Sequence, residues 1–396
     1  MVLAALLIVT AAAASGGLLL LLLGLIRVFS RAPRLHAEVS AEPPGVSLTV
    51  VIPAYNEAAN ISACLASVLA SRCPCTDWSV LVVDDGSSDD TAALALATAQ
   101  GSPAGQRAVV LPAGPRPAGE RWVGKNWACS QAVAELSSDW VAFIDADVRL
   151  QPDALRRALA QALQEQADLL SLAPRLECSC LAEWMVQPIM ASLLGLGFPI
   201  EAANDPDDPT AFAAGPFMLF RRSSYDAIGG HRALAAEVVE DLALARRIKQ
   251  GGMTLRYLLG LDAVRLQMYS SFEALWEGWT KNWFLGLDAN PLKAVSASAV
   301  VVLMFTGPWL LVPAALGLWW FEPAQTTLWA VILALALVGI ALQGWLRLWS
   351  RLTFQVPMRW WWLMGVGGLI VGAIGPVSTW KSLTGRGWTW KGRSLA

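Results

Sequence analysis

Val50-Val51-Ile52-Pro53-Ala54-Tyr55-Asn56-Glu57 is an apolar run that ends in polar residues, and the pattern recurs. It returns as Leu81-Val82-Val83-Asp84-Asp85-Gly86-Ser87 and as Phe143-Ile144-Asp145-Ala146-Asp147. Short runs rich in Val and Ile read as buried strands, so Ser47–Ile52, Ser79–Val83, Arg107–Leu111 and Trp140–Ile144 are expected strands. Segments of helical composition lie between them, at 58–70, 91–100 and 126–136. Alternating strands and helices predict an α/β fold with a mostly parallel sheet flanked by helices. Ligands bind such sheets beyond the carboxyl ends of the strands. Pro53–Glu57, Asp84–Ser87 and Asp145–Asp147 all fall there, and Glu240-Asp241 adds a fourth acidic pair.

Outside this block the chain is unusually apolar. Of its 396 residues 55% are hydrophobic and only 15% charged, against about one quarter charged in soluble domains. The formal net charge of -2 and the lack of a long basic run argue against nucleic acid as a partner. Val2–Ile26 carries no charge and exceeds the roughly 20 residues that span a bilayer core. It lacks the basic start of a signal peptide and reads as an uncleaved anchor. Arg27, Arg31 and Arg34 follow, which puts them and the next domain in the cytoplasm. The expected organisation is an anchor at 1–26, a linker at 27–46, a catalytic domain at 47–265, a membrane-proximal segment at 266–293, spans within 294–380 and a basic tail at 381–396.

Ala294–Trp320, Thr327–Leu346 and Trp360–Val377 are the candidate spans, with Trp319, Trp320 and Trp360–Trp362 at their ends as interfacial anchors. Three crossings would put the tail outside, whereas Lys381, Arg386, Lys391 and Arg393 prefer the cytoplasm. A re-entrant last segment, weakened by Gly365, Gly367, Gly368, Gly372, Gly375 and Pro376, would remove the conflict. Leu181–Ile200 fits either core or membrane surface, with the surface favoured. Cys73-Pro-Cys75 and Cys178-Ser-Cys180 have the wrong spacing for zinc and read as reduced thiols.

The acidic strand ends carry chemistry. Asp145 and Asp147 form a D-x-D that can chelate Mg2+ or Mn2+, with a diphosphate completing the shell. Asp84 and Asp85 suit hydrogen bonds to a base or ribose, and Asp89 or Asp90 suits a helix cap. Tyr55 can stack on a base, and Glu57 fits either a ligand contact or a first helical turn. Lys125 stands at a helix start where it can meet a phosphate. Asp241, with Glu240 second, is the candidate base that takes a proton from an attacking hydroxyl. Lys281, in Trp276–Trp283, is a candidate diphosphate contact or part of an interfacial belt. His231 reads as structural.

Taken together, VVIPAYNE, VVDDGSSDD, FIDAD and VVEDLALARRIKQGG resemble the family 2 glycosyltransferases of GT-A (Rossmann-like) fold, over about residues 47–283. Trp122–Ala128, Phe217–Arg221, Trp276–Asn282 and Trp390–Arg393 extend the likeness to membrane-anchored bacterial members associated with carotenoid or hopanoid modification. The resemblance implies inverting, metal-dependent transfer from a UDP- or GDP-type nucleotide sugar. It implies nucleotide contacts at Pro53, Ala54, Tyr55, Glu57, Asp84 or Asp85 and Asp145, metal at Asp147 and the base at Asp241. The Q-x-x-R-W motif of processive synthases is replaced here by Lys281-Asn282 before Trp283, which favours adding one sugar. The expectation is a multi-pass protein of the bacterial inner membrane that glycosylates a hydroxyl of a carotenoid or other isoprenoid lipid. A processive polysaccharide synthase, a transferase to polyprenyl phosphate and a catalytically silent membrane scaffold are the alternatives.

Overall fold

The computed structural model describes residues 2–36 and 45–394. The expected linker therefore lies partly outside the described residues. Two compact units emerge: Arg31–Glu177 with Phe198–Gln267, and Met1–Ser30 with Cys178–Gly197 and Met268–Ala396. The first, the catalytic unit, differs from the block 47–265 read from sequence. It gains Arg34, whose segment bridges to Leu259, and leaves Cys178–Gly197 to the apolar unit.

In chain order the elements begin with α1 (Val2–Ser30), β1 (Ser47–Ala54), α2 (Ile61–Leu69), β2 (Asp77–Asp84) and α3 (Thr91–Gly101). Then come β3 (Ala108–Pro112), α4 (Gly124–Ala134), β4 (Trp140–Ile144), β5 (Val148–Leu150), α5 (Ala154–Gln164), β6 (Leu169–Ala173) and β7 (Arg175–Leu176). After α6 (Leu181–Gly197) and α7 (Ile200–Asn204) follow β8 (Phe217–Arg221), α8 (Arg222–Ala227), α9 (Glu240–Gln250), β9 (Leu255–Leu259) and β10 (Val264–Leu266). The chain ends with α10 (Phe272–Gly286), α11 (Pro291–Val301), α12 (Gly307–Phe321), α13 (Thr326–Phe354), α14 (Met364–Thr384), β11 (Thr389–Trp390) and β12 (Arg393–Ser394).

The catalytic unit is built on a seven-stranded sheet in the order β3-β2-β1-β4-β8-β6-β9. It is mostly parallel, as expected; β8 alone among these strands runs against its neighbours β4 and β6. Continuous apolar runs such as Trp140–Ile144, buried at every position, suit a sheet covered on both faces. The sheet order reverses between β1 and β4, the switch point where α/β sheets open a crevice. β1 pairs with β2 as far as Ala54↔Asp84 but with β4 only as far as Val51↔Phe143. Pro53, which has no N–H to donate, stands just past that last pair, and the two strands part there.

Among the described residues of the apolar unit four helical segments are long and apolar enough to cross a membrane: Val2–Ser30, Pro291–Phe321, Pro323–Phe354 and Trp361–Thr384. α1, α12 and α13 pack together, with Ser15 Oγ donating to Leu335 O. Phe29 meets Trp349 and Phe354, so α13 ends beside the end of α1. The glycines expected to weaken the last span instead let it pack. α14 is continuous through Pro376, and Gly375, Gly368 and Gly365 abut Ser298, Thr306 and Trp309 respectively. α14 therefore runs antiparallel to Pro291–Trp309, beginning beside Trp309 rather than at the far end of Pro291–Phe321. Its last turns return to α10: Ser378 Oγ accepts the Phe284 N–H and Lys381 Nζ donates to Thr280 Oγ1. The β11–β12 hairpin then folds onto Glu277, which accepts the Thr389 hydroxyl at 2.6 Å and the Lys391 N–H at 3.0 Å.

Candidate active site

The ends of β1 and β2 form one wall. Ala54 O accepts the Asp85 N–H at 2.9 Å, and Asp84 accepts the Ser87 N–H at 3.1 Å. Gly86 turns the chain with φ 72°, a region that favours glycine. Asn56 Oδ1 takes the Ser88 N–H and Thr91 Oγ1 takes the Glu57 N–H, so the two loops brace each other. Asp89, rather than Asp90, supplies the cap at α3: its carboxylate accepts the Thr91 and Ala58 N–H groups. Asp84 and Asp85 do not cap α3; they stand at the end of β2. Asp85 is buried against Arg116, 2.6 Å away, a partner the sequence reading missed. Its only sequence signal is an arginine between Pro115 and Pro117.

The other wall collects charge. β4 ends at Ile144, and Asp145 donates its N–H to Pro216 O at 3.3 Å, which draws in the turn before β8. α4 begins at Gly124, so Lys125 projects from its first turn. Its Nζ lies 2.6 Å from Asp145 Oδ1 and 2.7 Å from Glu240 Oε1. Burial disfavours the ammonium, but the Asp145 and Glu240 charges outweigh it and hold Lys125 well above the usual lysine range. Asp145 is raised, first by burial, with Lys125 opposing. Asp241 opens α9 beside Glu240; its Oδ2 accepts the Gly215 N–H at 3.0 Å and its Oδ1 the Leu242 N–H. Burial first, and the Glu240 charge second, push Asp241 up to about 6. Gly215 is a second residue missed from sequence. A methyl group there would sit 2.9 Å from Asp241 Oδ2, so the bare backbone lets the carboxylate seat.

Asp147 is the group left short of positive charge. Its Oδ1 is buried with no hydrogen-bond partner, and burial followed by the Asp145 and Glu57 charges raises it well above the carboxylate range. Among the described residues no group of three or more His, Cys, Asp or Glu could hold a metal ion. Asp145 and Asp147 thus fit a cation that takes two protein oxygens and finds its remaining ligands elsewhere.

Pro53, Ala54, Tyr55, Glu57, Asp84, Asp85, Lys125, Asp145, Asp147, Glu240 and Asp241 all belong to the catalytic unit. Lys281 belongs to the apolar unit, on α10, with its Nζ 4.3 Å from the Trp390 ring centre. His231 is buried, with Nδ1 2.7 Å from the Tyr225 hydroxyl, and burial lowers it to about 3. It is a neutral core residue.

The model for glycosyl transferase family group 2 matches residues 140–374, and that for glycosyl transferase family 2 matches residues 49–229. The 4,4'-diaponeurosporenoate glycosyltransferase of Staphylococcus aureus strain MRSA252 is 30% identical over 262 residues, 65% of this chain and 66% of the relative. Its counterpart in strain USA300 matches over the same extent. The match thus spans just under two thirds of these relatives' own length. A solved structure, the mannosyltransferase PcManGT from Pyrobaculum calidifontis in complex with GDP-Man and Mn2+, shares the fold at TM-score 0.51 and 18% identity. That likeness covers 95% of this chain and 99% of the other.

Proposed function

The chain belongs to glycosyl transferase family group 2, and from that premise we propose that it is an inverting, metal-dependent enzyme that moves one sugar from a nucleotide-sugar donor to a hydroxyl of a membrane lipid. The acceptor is a carotenoid or a related isoprenoid; the relative's name and the helices able to cross a membrane support this class. The donor is UDP- or GDP-linked; GDP-Man in the structural neighbour supports a nucleotide sugar.

One observation carries the mechanism. Asp241 is a half-buried carboxylate raised to about 6, oriented by the Gly215 N–H, with no ion pair of its own among the described residues. Such a group is mostly ionised at neutral pH yet basic enough to take a proton. It accepts the acceptor hydroxyl's proton as that oxygen attacks the anomeric carbon. Lys125 brings a positive charge to the crevice, where a diphosphate leaves. A divalent cation held by Asp145 and Asp147 would offset the negative charge of that diphosphate. Asp84 and Asp85 accept hydrogen bonds from the base or ribose, with Tyr55 and Glu57 at the same strand end.

The catalytic unit faces the cytoplasm in this reading, as Arg27, Arg31 and Arg34 require. α14 re-enters rather than crosses. The basic tail then lies beside α10, on the side from which Pro291–Phe321 departs. This removes the conflict between an odd number of spans and a basic tail.

The test uses the full-length protein in detergent with UDP- or GDP-[14C]sugars, Mn2+ and a membrane lipid extract. Label should enter one organic-soluble glycoside, stable to mild acid, and Asp241→Asn should abolish it. Long polymer would establish a processive synthase, an acid-labile product a polyprenyl phosphate transferase. Unchanged product with Asp241→Asn would end this mechanism, and no labelled product from the wild type would leave the silent scaffold.

A further inference from the structure

α13 is largely apolar and buries one arginine. Arg347 stands seven residues before the end of the helix at Phe354, or about 10 Å along it, and is 0% exposed. Its Nε donates to Pro357 O at 3.0 Å and its Nη2 to Arg359 O at 3.2 Å. Its guanidinium carbon lies 5.2 Å from the centre of the Trp184 ring. Nη1 is buried with no partner, and among the described residues no carboxylate reaches the guanidinium. A buried cation without a counter-ion is unstable unless something compensates it, and within a membrane helix it marks a functional site by default.

The neighbouring buried polar groups are satisfied. Gln343, one turn away, accepts from Trp309 Nε1 and donates to Met304 O and Phe305 O. Glu183 on α6 accepts the Ser179 and Tyr269 N–H groups. Arg347 is the exception. Two further facts point to what is missing. The chain has no Asp or Glu after Glu322, while Arg347, Arg351, Arg359, Lys381, Arg386, Lys391 and Arg393 all follow it. And the segment over Arg347 is a strap with non-glycine residues in the left-handed region at both ends, Gln355 at φ 59° and Trp360 at φ 61°. Two backbone carbonyls of the strap accept from Arg347.

We propose that Arg347, backed by Trp184 and covered by the 355–360 strap, is a binding site for the acidic head of a membrane amphiphile, a carboxylate or a phosphate on an apolar chain. The carbonyls of Pro357 and Arg359 occupy the positions of its oxygens until it arrives. The head then takes a two-pronged contact from the guanidinium, including the orphaned Nη1, and the Trp184 ring packs against the first carbons of the chain. A position about 10 Å from the helix end is where lipid head groups meet the hydrocarbon. The inference stands apart from sugar transfer, since binding is measured without donor.

The experiment is competition against radiolabelled oleate on the full-length protein in dodecyl maltoside. Unlabelled oleate and dioleoyl phosphatidate should compete at least about tenfold better than methyl oleate and dioleoyl phosphatidylcholine, the scale of a charge-assisted contact. Acetate and inorganic phosphate should not compete. If only one acidic lipid competes, the head is that one's chemistry. Arg347→Gln should erase the preference for acid over ester. Trp184→Leu, which leaves the cation in place, should weaken oleate severalfold and serves if Arg347→Gln fails to fold. Equal competition by acids and neutral lipids would overturn the site. So would acetate or phosphate matching the lipids, or a folded Arg347→Gln protein that still discriminates.

Discussion

The two units partner a cation in opposite ways. In the catalytic unit Lys125 lies between two carboxylates at 2.6 and 2.7 Å, and Asp147 and Asp241 remain beyond it with no ion pair among the described residues. The crevice therefore carries an excess of negative charge and suits a metal and the proton of an acceptor. In the apolar unit Arg347 has only carbonyl dipoles and a ring for company. That unit carries an excess of positive charge and suits an anion. Each unit is electrically incomplete in the sense of the ligand it is read to take, and the incompleteness, more than any motif, separates a site from a structural ion pair.

The contrast can be broken at several points. Asp241→Asn should have the largest effect, lowering turnover by about a thousandfold or more while the protein still folds, since general-base contributions run to roughly 10²–10⁴. For the wild type, kcat/KM should rise with pH through about 6 and level off above it, because burial raises Asp241 and only its ionised form accepts the proton. A profile flat from pH 5 to 8 would remove Asp241 from that role. Next comes Lys125→Met, which strands Asp145 and Glu240 as neighbouring anions and should cost about 3 kcal/mol in a thermal melt. Adding Glu240→Gln should restore part of that loss; strict additivity would mean the three groups are not coupled. Smallest is Gly375→Ala. The added methyl would press on Ser298 Oγ and within 2.8 Å of Ala294 O, for about 1–3 kcal/mol. Gly16→Ala, with open space around it, should stay within about 1 kcal/mol and serves as the control.

Much of the catalytic unit was legible because its signals are local. A central parallel strand is apolar throughout, so Val50–Ile52, Leu81–Val83 and Phe143–Ile144 announce both the sheet and the position of the acidic residues at its ends. The pairing of Lys125 with Asp145 and Glu240 was not legible. Those residues are far apart in the chain, and only the β4–β8 register and the start of α9 bring them together. Gly215 and Arg116 were missed for the same reason: one matters through a backbone N–H, the other through a loop that no periodicity describes. In the apolar unit, composition revealed helices but not their directions. Glycine read as weakness in α14 because a single helix gives no view of its neighbour; against Pro291–Trp309 the same residues are contact points.

The hairpin at Thr389–Ser394 closes on a helix made more than a hundred residues earlier, since Thr389 and Lys391 both satisfy Glu277. A ribosome exposes Glu277 long before it releases the strand that covers it. During synthesis that carboxylate relies on water until the hairpin strand has emerged. A message that stops after Thr384 would yield a polypeptide with α1 and α10 to α14 present and this fastening undone.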